Sequence, residues 1–134
     1  MEMLPLTVFP EARYGLIQPR GPVTGKTILN YGLALAEHND WRPGFTEVWD
    51  IRYSPAVDVL PTDVPKLLDL ERQTKEALAG SATIVVTHKP LLLISVQLYS
   101  QLMKPFGRTV TGVDSAEKAA EILEIPALPD LAVA

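Results

Sequence analysis

The chain has 134 residues, with 12 Lys and Arg against 16 Asp and Glu and a net charge of −4. That length is one domain's worth, and 47% hydrophobic with 21% charged residues is an ordinary globular balance. It excludes a disordered chain, a collagen-like repeat and a basic nucleic-acid-binding face. The absence of cysteine excludes disulfides, thiolate metal ligands and a cysteine nucleophile, and suits a reducing cytoplasm.

The N-terminal run MEMLPLTVFPEARYG has an early acid and no basic region ahead of an apolar stretch, so it does not read as a signal peptide. Leu6–Phe9 is predicted as a short strand. Pro10-Glu11-Ala12 makes a tight connection, and Arg13–Gln18 alternates so as to pair back as a hairpin. Pro19 and Gly21-Pro22 end that run. Val23–His38 is predicted as a helix capped by Thr24, with Ile28, Leu29, Gly32, Leu33 and Ala36 on one face. His38 at its end suits the helix dipole and reads as structural. Trp41-Arg42-Pro43-Gly44 is a turn, and Thr46–Arg52 is a strand.

Val57–Pro61 is read as loop. Thr62 then caps a predicted second helix running to about Ala79, with Asp63 and Pro65 in its first turn and Gly80 as its stop. Ala82–Thr87 is a continuous β-branched run, the pattern of a strand buried on both faces in a parallel sheet. Pro90–Phe106 is a third helix ended by Gly107, Thr109–Val113 a last strand and Asp114–Leu123 a last helix. Asp114 and Glu117 have the spacing of a capping box there. Residues 126–134, with two prolines, read as a tail after a domain of residues 1–125. The alternation predicts an α/β domain with a mixed, mostly parallel sheet, a β-hairpin start and alternating helices. Uninterrupted apolar runs such as Leu91–Ile94 fall far short of the ~20 residues of a membrane span.

Gly21-Pro22-Val23-Thr24-Gly25-Lys26-Thr27 lies between a strand and a helix, as a phosphate-binding loop would. It is one residue short between its glycines, and Arg20 stands where the first glycine belongs, so it reads as a turn and a capped helix start. Asp50 and Arg52 end one strand, while His88 and Lys89 follow another. All are predicted at the carboxyl rim of the sheet, where they would bind an anion, transfer a proton, or form rim ion pairs and caps. No His, Asp or Glu cluster has metal-ligand spacing, and Ser81, Ser95 and Ser100 lack nucleophile-elbow surroundings. The third helix carries two apolar stripes. One is Leu91, Ile94, Leu98 and Leu102; the other is Leu92, Val96, Tyr99, Met103 and Phe106. Together they exceed what a sheet needs, leaving three readings open: deep burial, a homo-oligomer face, or an apolar ligand pocket.

The element order, the helix start at Gly21–Gly25, the Trp41–Phe45 turn, the Val48–Arg52 strand and the closing Asp114–Leu123 helix resemble the STAS superfamily. More narrowly, the chain is similar to the SpoIIAA-like (STAS/SEC14-type) bacterial proteins. The resemblance implies a single STAS-like domain. In STAS domains that antagonise anti-sigma factors, an Asp ends the central strand and an Asp followed by a phosphorylated Ser or Thr opens the next helix. Asp50 and Asp58 match those two acids, but Val59, Leu60 and Pro61 follow, so the usual phospho-acceptor is absent and Thr62 is the nearest hydroxyl.

The sequence therefore favours a non-enzymatic binding or regulatory module without a cofactor, located in the cytoplasm, with a protein partner or a second copy as its target. Its candidate interaction residues are Asp50, Arg52, Asp58, Thr62, Asp63, His88, Tyr99, Met103 and Phe106. A carrier of an apolar small molecule or lipid is the alternative, and an enzyme using Asp50, Arg52 and His88 is a further one.

Overall fold

A computed structural model describes residues 5–132. Residues 1–4, which begin the run read above as lacking a signal peptide, and the last two residues of the tail lie outside the described residues. The elements are β1 (Leu6–Phe9), β2 (Tyr14–Ile17), β3 (Val23–Thr24), α1 (Gly25–Ala36), β4 (Thr46–Asp50), β5 (Val57–Asp58), α2 (Val64–Gln73), β6 (Ala82–Val86), α3 (Pro90–Met103), β7 (Thr109–Val113) and α4 (Ala116–Leu123).

β1 and β2 pair antiparallel, as the alternation predicts. The pairs β2–β4, β4–β6 and β6–β7 are all parallel, giving a five-stranded sheet in the order β1-β2-β4-β6-β7. Every parallel connection steps outward in one direction. Right-handed crossovers in one direction deliver their helices to one face of the sheet. That face carries Ile17, Trp49 and Val85 and packs against Ile28, Tyr31 and Leu35 of α1. The opposite face carries Leu16, Val48, Ile84 and Val113, and is covered by Ala119 and Leu123 of α4. Burying each such large apolar side chain contributes about 1.5–3 kcal/mol. Trp41 anchors one end of the helical layer: its ring stands edge-on to Phe45 and its Nε1 donates to the Ala77 carbonyl at 2.8 Å.

The structure revises several boundaries. Val23 and Thr24 precede α1 as β3 and pair in parallel with β5, inside the segment read as loop. Thr24 does cap α1: its Oγ1 accepts from Thr27 N–H, and Thr27 Oγ1 accepts from Thr24 N–H. Thr62 is not a cap. It sits in a 3₁₀ turn, Pro61–Asp63, whose Asp63 carboxylate accepts from Leu60 N–H at 2.8 Å. α2 ends at Gln73 rather than Ala79, because Thr74 Oγ1 donates back to the Leu70 carbonyl and the following residues turn. α4 is capped by Ser115, whose Oγ accepts from Lys118 N–H. Asp114 lies one residue too early for that bond and pairs with Lys118 instead. Gly107, at φ 70°, ends the turn after α3 as predicted.

α4 is only eight residues long and cannot cover its face alone. The chain after it crosses that face, with Ile125, Leu128 and Leu131 packed on the core. Prolines forbid a helix there but not burial. Gln18, fully buried beyond the end of β2, fixes this segment. Its Nε2 donates to the Pro129 carbonyl at 2.7 Å, and its Oε1 accepts from Leu131 N–H at 2.7 Å. Gln18→Ala is expected to lower stability in urea by about 1–3 kcal/mol, the range for orphaning buried partners, and to speed hydrogen exchange at the Leu131 amide. Unchanged protection at Leu131 would show that the leucines alone hold the segment.

Candidate functional site

The rim residues singled out from the sequence do not assemble as a reactive set. Strand alternation turns Asp50 toward the α4 face, beside Val48, where it is fully buried. Its carboxylate accepts from Arg52 Nε at 2.8 Å, from an Arg52 terminal nitrogen at 2.7 Å, and from Gln18 Nε2 at 3.0 Å. This hydrogen-bonded pair raises the Arg52 guanidinium above its ordinary value, against the opposing effect of burial. Nearby, Arg20 stacks on the Tyr53 ring at 3.9 Å and pairs with Asp130 at 2.5 Å. The whole rim is thus a latch that closes the sheet end against residues 129–131. His88 is exposed and its Nδ1 meets the Asp114 carbonyl at 2.9 Å, while the hydrogen-bond partners of Asp50 are Gln18 and Arg52. Lys89 is exposed at the start of α3.

At the start of α1, Gly25 packs directly on the Asp63 carboxyl: a Cβ there would lie 2.4 Å from Asp63 Cγ. The segment resembling a phosphate loop is therefore a close helix contact, with an acid already at the helix N-terminus. Asp58 and Thr62 are exposed. Met103 is fully buried and presents nothing to a partner, and Phe106 is half-buried. Among the described residues no group of His, Asp and Glu converges as a metal site, and no helix is long and apolar enough to cross a membrane.

The open feature of the molecule lies on the other face. α3 leans against β7, with Leu93 and Val96 close over Gly112, while α1 and α2 pack against each other through Gly32 and Leu70. Between α3 and the α1–α2 pair the sheet is left partly uncovered. A cavity of about 350 Å³ opens there. Its floor is Trp49, Ile51, Val85 and Val110; Ile28, Leu67 and Leu70 form one wall, and Leu92, Val96 and Tyr99 the other. The exposed Val59 and Ser95 line it where it meets solvent. Leu92, Val96 and Tyr99 of the second stripe of α3 thus line a cavity while Met103 is fully buried, and the first stripe is exposed: Leu91 is 78% and Leu98 66% accessible.

One end of the cavity is charged. Glu47 of β4 and Thr83 of β6 share the Trp49 face of the sheet, and Glu71 comes from the inner face of α2. The nearly buried Arg108 joins them. Its terminal nitrogens lie 3.5 Å from Glu71 Oε2 and 3.7 Å from Glu47 Oε2, and one bonds Thr83 Oγ1. Glu47 also accepts from Trp49 Nε1, whereas Arg108 Nε is buried without a partner. Burial pushes the Glu71 carboxyl up from its ordinary 4.5, with Arg108 pulling it down and Glu47 pushing it further up. Burial, followed by the Glu71 and Glu47 charges, drives the Tyr99 hydroxyl well above its usual range.

Of this group the sequence analysis named only Tyr99. A signal for the others was present: Glu47 alternates with Trp49 in a strand, and Glu71 falls on the stripe of Leu67, Leu70 and Thr74. Charges at core-facing positions are rare unless paired.

No family model and no curated protein matches the chain. Among solved structures it is similar to an uncharacterised protein of the DUF3478 family with a SpoIIAA-like fold from Shewanella loihica PV-4. The two are 12% identical, with a TM-score of 0.55, over 82% of this chain and 83% of that one. The chain has a SpoIIAA-like fold, as its resemblance implies.

A carboxyl raised by folding takes up protons in the native state, so its contribution to stability falls as pH rises from the unfolded value through the native one. Glu71→Gln removes that loss. The stability of Glu71→Gln relative to the parent, from urea denaturation, is expected to be greater at pH 7 than at pH 4. A relative stability that declines over this interval would show the Arg108 attraction to outweigh the burial of Glu71.

Proposed function

We propose that the protein is a non-enzymatic binding module whose cavity between α2 and α3 holds an apolar small molecule. The observation that carries this reading is the cavity itself: about 350 Å³, floored and walled by apolar side chains, with polar groups gathered at one end. Small-molecule sites have this size and this division of chemistry. An empty apolar hollow of such volume inside a small domain forfeits packing that a filled core would have. The rim around Asp50 supports no competing reading, since its polar groups are taken up by the latch. We further propose a bacterial cytoplasmic location, for which the lack of cysteine suits a reducing compartment.

The test is titration with N-phenyl-1-naphthylamine, an uncharged apolar dye that brightens when desolvated. Saturable one-site binding is expected, falling at least about tenfold in Ser95→Trp, because the indole enters the cavity from an exposed helix position and displaces the dye's contacts. Absent binding, or binding indifferent to Ser95→Trp in a folded variant, would overturn the assignment.

A specific observation favours a second role for α3. Its fourteen residues include no charged side chain, and Leu91, Ile94, Leu98 and Leu102 are 45–78% exposed. A solvated helix face normally carries charge. Such a stripe is self-complementary about a twofold axis, so its natural occupant is the α3 of a second copy. Sedimentation velocity is expected to give a dimer that Leu98→Glu converts to a monomer. A monomeric parent at high concentration would remove this reading and leave the cavity untouched.

A further inference from the structure

The charged end of the cavity says which ligands belong there, an inference that rests on reading the cavity as a small-molecule site. Two carboxylates, Glu47 and Glu71, face one guanidinium. Arg108 divides its terminal nitrogens between both acids and Thr83, so its charge is already committed within the protein. The balance with both acids ionised is one uncompensated negative charge in a largely desolvated place. Glu47 has an indole N–H and the guanidinium as donors. Glu71 is poorer: only Oε2 faces Arg108, at 3.5 Å, and Oε1 accepts no hydrogen bond among the described residues. The Tyr99 hydroxyl, on the opposite wall, likewise makes none. Arg108 Nε is an unpartnered donor but Arg108 is not part of the cavity lining, so what the lining groups at this end lack is a donor or a positive charge.

We infer that the ligand of this cavity has an apolar body and a hydrogen-bond-donating head, an ammonium or a hydroxyl, seated between Glu71 and Tyr99, and that molecules ending in a carboxylate or phosphate are rejected. The physical reason is the balance of desolvation against charge. An ammonium brings the missing positive charge to an under-solvated carboxylate, and the pair replaces water lost by both. A hydroxyl donates to Glu71 and accepts from Tyr99. A carboxylate adds a third negative group beside two others in a site with no free cation, and like charges at close range in low dielectric are strongly unfavourable.

The experiment is isothermal titration of the whole chain at pH 7 with dodecylammonium, dodecanol and dodecanoate, the two ions below their micelle concentrations and the alcohol below its solubility limit. The three are straight chains of twelve carbons and differ chiefly in the head. Dodecylammonium and dodecanol are expected to bind at least about tenfold more tightly than dodecanoate. Glu71→Gln is expected to shrink the ammonium-to-carboxylate ratio to about threefold or less while leaving dodecanol within about threefold of the parent. Glu47→Gln gives the same readout if Glu71→Gln does not fold. Tyr99→Phe is expected to weaken dodecanol without altering the ammonium preference. Equal binding of all three heads, or tightest binding of dodecanoate, would overturn the inference and leave the cavity assignment standing. Binding of none of them would overturn the cavity assignment itself.

Discussion

Growth of the sheet in a single direction governs the rest of this molecule. From β2 through β4 and β6 to β7 each strand is added on the same side. Right-handed crossovers then have no choice of face, and three helices compete for one side of five short strands. α1 takes the side near β1, with Tyr31 edge-on to Trp49 of β4, α2 packs on α1, and α3 takes β7. The gap left between the pairs is the cavity. The other face receives what remains, one eight-residue helix and the segment after it. A doubly wound order would have shared the helices between faces and left neither the cavity nor the need for a packed C-terminal segment.

Each face carries a buried acid near Arg, and the two are solved differently. On the α4 side Asp50 is saturated: the Arg52 side chain forks onto both its oxygens, and Gln18 adds another donor. Gln18 spends its other hydrogen bonds on the chain near residues 129 and 131, so the acid, the amide and the terminal segment form one closed unit. Breaking such a unit at one partner leaves an uncompensated buried charge. On the helical side Glu47 and Glu71 share a single Arg108 at longer range, and Glu71 Oε1 accepts no hydrogen bond among the described residues. A closed polar network rigidifies a fold, whereas one left incomplete beside a cavity is a place for a ligand to complete. That contrast separates scaffold from site among side chains of the same type.

α3 joins these themes because it has two exposed boundaries. Its inner stripe forms a cavity wall, and its outer stripe is leucine-rich and uncharged. Occupancy of one face and association through the other would share a helix, so a change in its tilt on β7 would be felt at both. Close contact of the Leu93 and Val96 side chains with Gly112 sets that tilt, since Gly112 itself contributes no side chain to hold the helix away.

The five strands of the main sheet, the hairpin, the buried parallel β6, the Thr24 cap and the Gly107 stop were legible along the chain, because each depends on periods of two or 3.6 residues and on local backbone chemistry, whereas the two-residue strands β3 and β5 are too short to show a period. Errors fell where a single side-chain bond decides a boundary, as at Thr74, Ser115 and Asp63. The doubled apolar stripe of α3 was legible too, but periodicity cannot say whether a second stripe meets a partner, a core or a cavity. Strand alternation alone turns Asp50 inward and Glu47 to the opposite face, yet the donors that saturate one and only partly serve the other come from residues 18, 52 and 108. What the sequence by itself determined is therefore the order and kind of elements. What only the tertiary structure decided is which buried charges are satisfied and where a cavity is left, because both depend on distances between segments that no local period encodes.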